Sequence, residues 1–535
     1  MKKKRYIGYA LSTVLALLLS ACTDNFESTN ENPYQITDES LEQDFNHVGA
    51  FYPSMLDNIF QDQIAHNLVH EAFVSHLGTP TPFVSNRNNT TYYITWGDSY
   101  WNGVYNNIMA PARQVIQIAE EGGYDVFVAW AKLVRVIATS RLSAYHGPII
   151  YTNYGSQDQT IQYDSEETLY NTWFAELDEI LAVLIANTEY TGLTKFDASY
   201  NGNVAKWVKV VNSWRLILAM RISKVAPDLA KTQGEKAISD PGGLITSTDD
   251  AWYLSLYGGP FRPGRICFGW GDTRMSAAME SVLGGYNDPR VEKYFDPATD
   301  NTLYSDHPDF PYKGIQSGAL IVAKDDRLTY STLDAQFDPA GNNAGGKRRM
   351  LMPSDVLFTL AEASLRGWAG AGTAQENYEN GVRASFAEWG AGGVDDYLQN
   401  DTDLPLNYED PKEGSGQNDF TNRVTVTVKW DESADNEEKL DKIITQKWIS
   451  SVNNTIEIWV DHRRTGYPKL PYVSKNDSDQ TWGIIADNDF LKRMPFINSE
   501  RNNNPAGVAD ATTKLGGPDE IGTRLWWDTG GPNFP

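Results

Sequence analysis

One segment of the chain combines aromatic rings with short polar side chains in a pattern that suits carbohydrate binding. It runs from Tyr92 to Asn102 and reads YYITWGDSYWN. A sugar presents an apolar C–H face and a polar rim, which an aromatic plate flanked by carboxylate or amide groups complements. Trp96 precedes a glycine and a predicted helix start, so we expect it to be the ring most free to face solvent. The candidate ligand-binding residues here are Tyr93, Trp96, Asp98 and Tyr100.

A second aromatic site is predicted around Trp270, which stands between two glycines in the segment FGWGDTR at 268–274. The flanking polar group here is the guanidinium of Arg274, so both residues are candidates for ligand contact. The alternative for every ring in these two segments is that it covers the hydrophobic core. Exposure in the folded protein distinguishes the two interpretations.

The segment around Trp96 is expected to lead into a helix that begins near Ser99. Asp98 or Ser99 can cap that helix, which would continue through Val104 and beyond. Residues four apart lie on the same helix face, so Trp101 and Tyr105 should point into the protein together.

Groups that could catalyse a reaction or bind a metal do not form a recognisable pattern. His66 and His70 are four residues apart beside Glu71, but the metalloprotease order is H-E-x-x-H and no third ligand is evident. We therefore expect surface histidines and no metal site. Neighbouring acids such as Asp325 and Asp326 say little, because glycosidase carboxylates are paired in space rather than in sequence. Without a phosphate-binding loop or nucleophile elbow, we expect no enzyme activity and no cofactor.

The amino-terminal residues have the pattern of an exported lipoprotein. Basic residues 2–5 precede the uncharged segment Tyr6–Ala21, which falls short of the roughly 20 apolar residues that span a bilayer comfortably. Small residues then stand directly before Cys22, as in a lipobox. We expect residues 1–21 to be a cleaved signal peptide and Cys22 to carry the acyl chains of a lipid anchor.

Residues 22–42 have the polar composition of a flexible tether. Asp24 and Glu27 follow the anchor closely and resemble the surface-export signal of Bacteroidetes lipoproteins, which favours display on the cell exterior. Loss of the leader removes four of the 45 cations and none of the 70 anions, so the mature net charge is −29. That charge repels nucleic acid and anionic lipid headgroups.

Residues 43–535 are expected to form a single domain, since no long linker interrupts them. Cys267 is the one cysteine besides Cys22, so no intrachain disulfide is expected. Its neighbours offer no base that would activate a thiol. We therefore interpret Cys267 as a small buried hydrophobic residue.

Amphipathic helices dominate residues 42–240 and 346–465, where apolar residues recur every three or four positions. The spacing predicts helices over 127–145, 166–187, 207–222, 354–368, 378–389 and 436–452, with a further one from 456. Asp164 and Glu167 are expected to cap the second of these. The small-residue turn at 370–372 joins two helices as in a tetratricopeptide unit. The fold class is therefore mainly α, with tetratricopeptide-like helical pairs forming a bundle.

The remaining segments, 240–345, 391–423 and 466–535, are rich in Gly, Pro, Asp and Asn. They are expected to form a loop-rich layer with few short strands, of which Val424–Val428 is the clearest. Long loops in a compact protein commonly carry function.

Six sequence elements, in order along nearly the whole mature chain, resemble the SusD/RagB family of outer-membrane nutrient-binding lipoproteins. They are WVKVVNS at 207–213 with AMRIS at 219–223, NDPR at 287–290, LAEA at 360–363 with YENGVRAS at 378–385, QKW at 446–448, WVDHRRTGYP at 459–468, and RMPF at 493–496 with LWWD at 525–528. The resemblance implies a non-catalytic helical protein that caps a SusC-like TonB-dependent β-barrel transporter and delivers glycan or oligosaccharide to it.

Two alternatives stay open at this point: a surface glycoside hydrolase, and the same architecture binding peptide or another small nutrient. The family's ligand loop varies between members, so no ligand-site residue carries over. Polar motif residues on helices with apolar faces are predicted to be buried structural ties, because buried polar groups must be paired. These are Asn212, Arg221, Glu362, Arg463 and Arg464.

Overall fold

The computed structural model describes residues 43–534 apart from 61–62, 256–261, 306 and 339–346. The predicted signal peptide, Cys22 and the tether lie outside the described residues. Residues 51–535 form one compact unit, and the residues up to Ala50 belong to another. Within the described ranges, no helix has both the length and the apolar character needed to cross a membrane.

The longer helices of the described ranges are α1 (Ala110–Gly122), α2 (Asp125–His146), α3 (Glu166–Ala186), α4 (Val204–Arg221), α5 (Pro227–Ser239), α6 (Ala277–Gly285), α7 (Pro353–Leu365), α8 (Ala374–Trp389), α9 (Asn436–Ser450), α10 (Ile456–Thr465) and α11 (Pro505–Leu515). Short helices and single 3-10 or π turns lie between them, among them Tyr52–Asp57, Gln63–Glu71, Asn89–Thr91, Ser99–Val104, Tyr105–Met109, Arg265–Gly269, Asn301–Tyr304, Val394–Tyr397 and Asn498–Asn503. The predicted mainly helical fold is confirmed. Helices α6 and α11 lie in segments that were expected to be irregular.

Helices that are close in sequence pack against each other. Contacts join α1 to α2, α2 to α3, α3 to α4, α4 to α5, and α7 to both α8 and α9. Their apolar stripes meet in a core that includes fully buried tryptophans at 130, 173, 207, 214 and 448. Burying such large side chains is the main favourable contribution to folding.

The start of α3 differs from the predicted one. Ser165 caps the helix by accepting a hydrogen bond from the backbone N–H of Thr168 at 3.2 Å. Asp164 instead accepts from the backbone N–H groups of Tyr151 and Thr152, at 2.9 and 2.8 Å. The expected capping role of Asp164 is therefore wrong, because its carboxylate ties down the preceding loop.

The predicted structural ties are confirmed as buried and paired. Arg464 donates to Glu362 Oε2 at 2.6 Å and to Asp461 at 2.8 Å, while Arg366 donates to Glu362 Oε1 at 2.7 Å. Burial alone would raise the pKa of Glu362, but the charges of Arg464 and Arg366 lower it to about 2. This network joins α7 to α10.

Three further ties connect more distant elements. Arg221 at the end of α4 donates to Glu457 of α10 at 2.6 Å. Arg463 donates to the carbonyls of Ala144 and Lys492 at 2.8 and 2.7 Å, which joins α10 to α2 and to the carboxy-terminal loops. The amide of Asn212 donates to Asp240 and Gly243, at 3.0 and 3.1 Å.

Two short antiparallel sheets lie in the described ranges. Strand β1 (Leu77–Gly78) pairs with β3 (Arg274–Met275), and β2 (Trp252–Ser255) pairs with β4 (Lys347–Leu351). The predicted strand at Val424–Val428 is wrong. Its alternate valines are buried as expected, but its carbonyls at Val426 and Val428 accept from the hydroxyls of Tyr286 and Tyr378 rather than from a neighbouring strand.

Candidate functional site: an aromatic groove at Trp96

A tight turn at residues 88–92 positions the aromatic segment. Asn88 Oδ1 accepts from the backbone N–H of Thr90 at 2.7 Å, and Thr91 Oγ1 accepts from the backbone N–H of Asn88 at 3.2 Å. This capping box closes the turn Asn89–Thr91, and Tyr92 leaves it in the left-handed conformation with φ of 63°.

Left-handed backbone is concentrated in this region. Non-glycine residues adopt positive φ at Phe83, Ser85, Asn86 and Tyr92. Such conformations cost free energy and cluster at binding sites, where the surrounding structure holds them in place. The loop is therefore built for a shape that a relaxed chain would not adopt.

Asn89 holds the backbone of Trp96 in place. Its side-chain carbonyl accepts from the backbone N–H groups of Thr95 and Trp96 at 3.0 and 3.4 Å, and its amide donates to the Trp96 carbonyl at 2.9 Å. Asn89 is itself fully buried. The indole of Trp96 thus extends from a fixed backbone, with the ring of Phe83 at a centroid distance of 5.3 Å.

Trp96 lines a groove of about 200 Å³ that Trp482 also lines. Both indoles are partly exposed. Polar groups at the groove come from Thr95, Asp98, Ser99 and Asn498, and apolar surface comes from Ile94, Pro495 and Phe496. Two aromatic faces with carboxylate, hydroxyl and amide groups beside them can stack on a sugar and hydrogen-bond to its hydroxyls.

Trp482 and Asn498 were not anticipated from the sequence. They lie 386 and 402 residues after Trp96, in a segment without helical periodicity. The guanidinium of Arg501 lies over the Trp482 ring at 4.9 Å, and the Trp482 carbonyl accepts from the N–H of Ile521 at 2.7 Å. The only local signal is a tryptophan beside a glycine in a polar loop.

The other candidates near Trp96 have different surroundings. Tyr93 is half-buried, with the guanidinium of Arg87 5.5 Å from its ring centroid. Asp98 occupies the N-cap position of Ser99–Val104, but its side chain makes no capping hydrogen bond, so its carboxylate remains at the groove.

Tyr100 is a core residue, contrary to its prediction as a ligand contact. It is 2% exposed and packs on Tyr145 at a centroid distance of 4.4 Å. It lies one residue into the helix and points inward, as does Trp101, which packs on Tyr105 at 5.0 Å. The predicted inward orientation of Trp101 is confirmed by its burial.

Trp270 and Arg274 do not act together. Trp270 is 45% exposed, with the guanidinium of Arg265 4.9 Å from its ring centroid. Arg274 is buried in β3 and donates to the backbone carbonyls of Thr273 and Leu328 at 2.6 and 3.1 Å. The prediction that Arg274 contacts a ligand is wrong, because its guanidinium is used to tie two backbone segments together.

A short stretch of chain links the Trp96 and Trp270 regions. Phe83 packs on Trp96, and two residues earlier Thr81 donates its hydroxyl to Asp272 Oδ1 at 2.6 Å. Lys324 in turn donates to the Trp270 carbonyl at 2.7 Å. Residues 81–83 thus run between the two exposed tryptophan regions.

The histidine pair is not on the surface. His66 and His70 are 5% and 1% exposed, and their ring centroids are 4.7 Å apart. Burial, together with neighbouring positive charge, lowers the pKa of both well below the usual range. Across the described ranges, no three His, Cys, Asp or Glu side chains are grouped as a metal ion requires.

Cys267 is buried, as expected, and its sulfur accepts from the backbone N–H of Leu333 at 3.4 Å. Burial raises its pKa to about 11, so the thiol stays protonated.

A family model described as SusD-like, the SusD and RagB outer membrane lipoproteins, matches residues 28–528. The chain belongs to the SusD-like family. Its mainly helical, tetratricopeptide-like architecture and its class of outer membrane lipoprotein follow from that membership.

Solved structures of SusD homologs match this one closely. A chitin-binding SusD homolog from Flavobacterium johnsoniae is 38% identical, with a TM-score of 0.84, over 91% of this chain and 100% of that chain. A homolog from Bacteroides vulgatus is 32% identical, with a TM-score of 0.84, over 92% and 100%. One from Bacteroides thetaiotaomicron is 31% identical, with a TM-score of 0.82, over 90% and 99%. No curated protein matches the chain.

Proposed function

We propose that this SusD-like protein captures glycans at the cell surface and delivers them to a SusC-like TonB-dependent transporter. The glycan assignment rests on the groove lined by Trp96 and Trp482, which pairs two aromatic faces with polar groups. The backbone of Trp96 is held by Asn89, so little ordering is required when a ligand binds.

Oligosaccharides of N-acetylglucosamine are the first ligands to test. The homolog from Flavobacterium johnsoniae that is described as chitin-binding is 38% identical to this chain. An N-acetylglucosamine ring offers an apolar face to an indole and an amide that can hydrogen-bond to Asp98 or Asn498.

Binding without hydrolysis fits this groove better than catalysis. Glycoside hydrolases generally use two carboxyl groups, about 5–10 Å apart, on either side of the scissile bond. Among the described residues that line the groove, Asp98 alone carries a carboxylate. A second acid for general acid or base chemistry is therefore not supplied at this site.

Isothermal titration with triacetylchitotriose tests the proposal. Trp96→Ala and Trp482→Ala should each weaken binding, whereas Trp526→Ala removes a partly exposed tryptophan outside the groove and should leave binding unchanged. Release of new reducing ends during incubation would indicate a hydrolase. If a glycan panel fails and a peptide library binds, the cargo is peptide rather than sugar.

The anchor and the partner have separate tests in cells. Protease added to intact cells should remove the wild-type protein from the surface, and Cys22→Ala should release the protein from the outer-membrane fraction. A large β-barrel should co-purify with the wild type in mild detergent. Recovery of the protein as a free monomer while its transporter is expressed would contradict the partnership.

A further inference from the structure

A second, larger cleft of about 560 Å³ shares no lining residue with the Trp96 groove. It is formed by α6 with loop residues at 302–305, 307–313 and 406–419. Its volume falls within the range of about 300–1,000 Å³ that is typical of small-ligand sites. The proposed glycan site makes no use of it.

Aromatic side chains form part of the wall of this cleft. Tyr304, Phe310 and Tyr312 all line it, and the rings of Phe310 and Tyr312 lie 5.0 Å apart. Tyr304 and Phe310 are partly exposed. The face of an aromatic ring carries negative charge density and attracts a cation.

Two of the carboxylates at the cleft are already neutralised. Glu280 accepts from Lys313 at 2.8 Å, and Asp410 accepts from Arg327 at 2.7 Å. Each of these pairs is largely buried, so it contributes to the structure of the wall and leaves little net charge.

Three other carboxylates lack a cationic partner among the described residues: Glu409, Glu413 and Asp419. Glu413 accepts from the backbone N–H groups of Ser415 and Gln417 at 2.9 and 2.8 Å, which orients it but leaves its charge. Glu409 is exposed, and no described residue hydrogen-bonds to its side chain. The lining also includes His307 and Lys313, of which Lys313 is paired with Glu280. The three carboxylates therefore leave the cleft with a net negative charge, which increases the local concentration of cations.

We propose that this cleft binds a ligand carrying a protonated primary amine on a compact apolar or sugar body. The ring faces of Tyr304 and Phe310 accept the apolar body and attract the cation, and Glu409, Glu413 and Asp419 supply the charge. Both an amino sugar and a lysine side chain present that chemistry. The proposal does not depend on glycan binding at Trp96.

Matched ligands separate the amine from the sugar. Chitotriose has three free amines, triacetylchitotriose is its neutral counterpart, and a tripeptide with one lysine carries the amine without a sugar. In titrations of the wild-type protein, Glu409→Gln should weaken chitotriose or the lysine tripeptide by about ten-fold and leave triacetylchitotriose unchanged. Affinity for the amine ligands should also fall as sodium chloride is added.

A control variant distinguishes the carboxylates of the cleft from the net negative charge of the whole protein. Glu120→Gln removes an exposed carboxylate from α1, outside the cleft, and should leave the affinity for every ligand unchanged. Phe310→Leu keeps an apolar side chain and should weaken the amine ligands several-fold by removing the ring face.

Each outcome decides the question. Loss of chitotriose binding alone in Glu409→Gln assigns the cleft to amino sugars, and loss of lysine tripeptide binding alone assigns it to peptide amines. The proposal is overturned if neither amine ligand binds at millimolar concentration, or if Glu409→Gln and Glu120→Gln behave alike.

Discussion

Trp207 and Trp448 lie on helices α4 and α9 and are fully buried, whereas Trp96 and Trp482 lie in loops and remain partly exposed along one groove. The same residue type therefore has two roles. On a helix, the 3.6-residue repeat places an indole in the bundle core. In a loop, a fixed backbone can hold the ring where a ligand can reach it.

Charged side chains differ between the two regions in the same way. In the bundle, Glu362 is bonded by two arginines and Arg221 by Glu457, so the charges of these buried groups are compensated. In loops beside the two clefts, Asp98 and Glu409 keep carboxylates that no described residue neutralises. The contrast separates groups that hold the fold from groups that remain available to a ligand, and substitutions in both regions test it.

The largest effect is expected from Arg464→Ala. It leaves Glu362 and Asp461 buried with fewer cationic partners, and breaking a buried pair costs about 3–5 kcal/mol. Urea denaturation should show that loss in the free energy of unfolding. Arg383→Ala is the control, because its partner Asp395 is 82% exposed and such surface pairs contribute less than about 1 kcal/mol. Equal losses would contradict the contrast between the regions.

The next largest effect is expected from Glu71→Gln, whose effect on the free energy of unfolding should depend on pH. Burial raises the pKa of Glu71 to about 7, although a hydrogen bond from Asn67 opposes this. A raised pKa stabilises the fold below the unfolded value near 4.3, and that contribution is lost as the pH rises through about 7. The Glu71→Gln variant has no carboxyl group to titrate at this position. As the pH rises from 4 to 8, its free energy of unfolding should therefore increase by on the order of 3 kcal/mol relative to that of the wild type.

Glu362 should show the opposite sign. Because its pKa is lowered to about 2, its contribution is present above pH 4.3 and is lost as the pH falls towards 2. The penalty of Glu362→Gln should therefore be large at pH 7 and shrink at pH 3. If the free energies of unfolding of both variants, relative to the wild type, change with pH in the same direction, the direction of the pKa shift is wrong for one of these two carboxyl groups.

A smaller effect is expected from Trp96→Ala. Loss of one stacked ring should weaken oligosaccharide binding by about ten-fold while the melting temperature stays nearly unchanged. The matched core change, Trp207→Ala, should instead cost about 3–5 kcal/mol of stability, because it leaves a cavity in the bundle. A large fall in melting temperature for Trp96→Ala would mean that Trp96 supports the fold rather than a ligand.

The helical bundle could be predicted from sequence because its signal is local and repeated. The stripes on α2, α3 and α4 recur over five or six turns. The polar motif residues on α4, α7 and α10 could be predicted to be paired, because an unpaired buried polar group is costly. Helix α11 was missed although Pro505 and Gly516 mark its ends, since its apolar residues are few. The strand prediction at 424–428 is wrong because alternating apolar residues indicate burial of one face and do not show that a neighbouring strand is present.

The candidate site could be predicted only in part. Trp96 and Asp98 stood out in the sequence because rings and polar groups are adjacent there. The predictions for Tyr100 and Arg274 are wrong for two different reasons. Tyr100 lies on the inward face of its helix, and the guanidinium of Arg274 is bonded to two backbone carbonyls. Trp482 lies in a loop that is distant from Trp96 in the sequence, and no local sequence pattern relates the two residues. Long-range pairing of irregular segments is set by the whole fold, which composition and periodicity do not report.

The smallest effect is expected from Trp270→Ala. The ring is 45% exposed and lines neither cleft, and Lys324 bonds the Trp270 carbonyl, which the substitution retains. For a trisaccharide held at Trp96 and Trp482, the affinity should change by less than about two-fold, within the range of a neutral surface substitution. A long chitin oligomer could run along residues 81–83 to reach Trp270, and the loss would then be several-fold. Titration of wild type and variant with both lengths measures the difference. A loss that is equal for the trisaccharide and the oligomer would place Trp270 in the same binding site as Trp96, and the groove at Trp482 would no longer be the whole site.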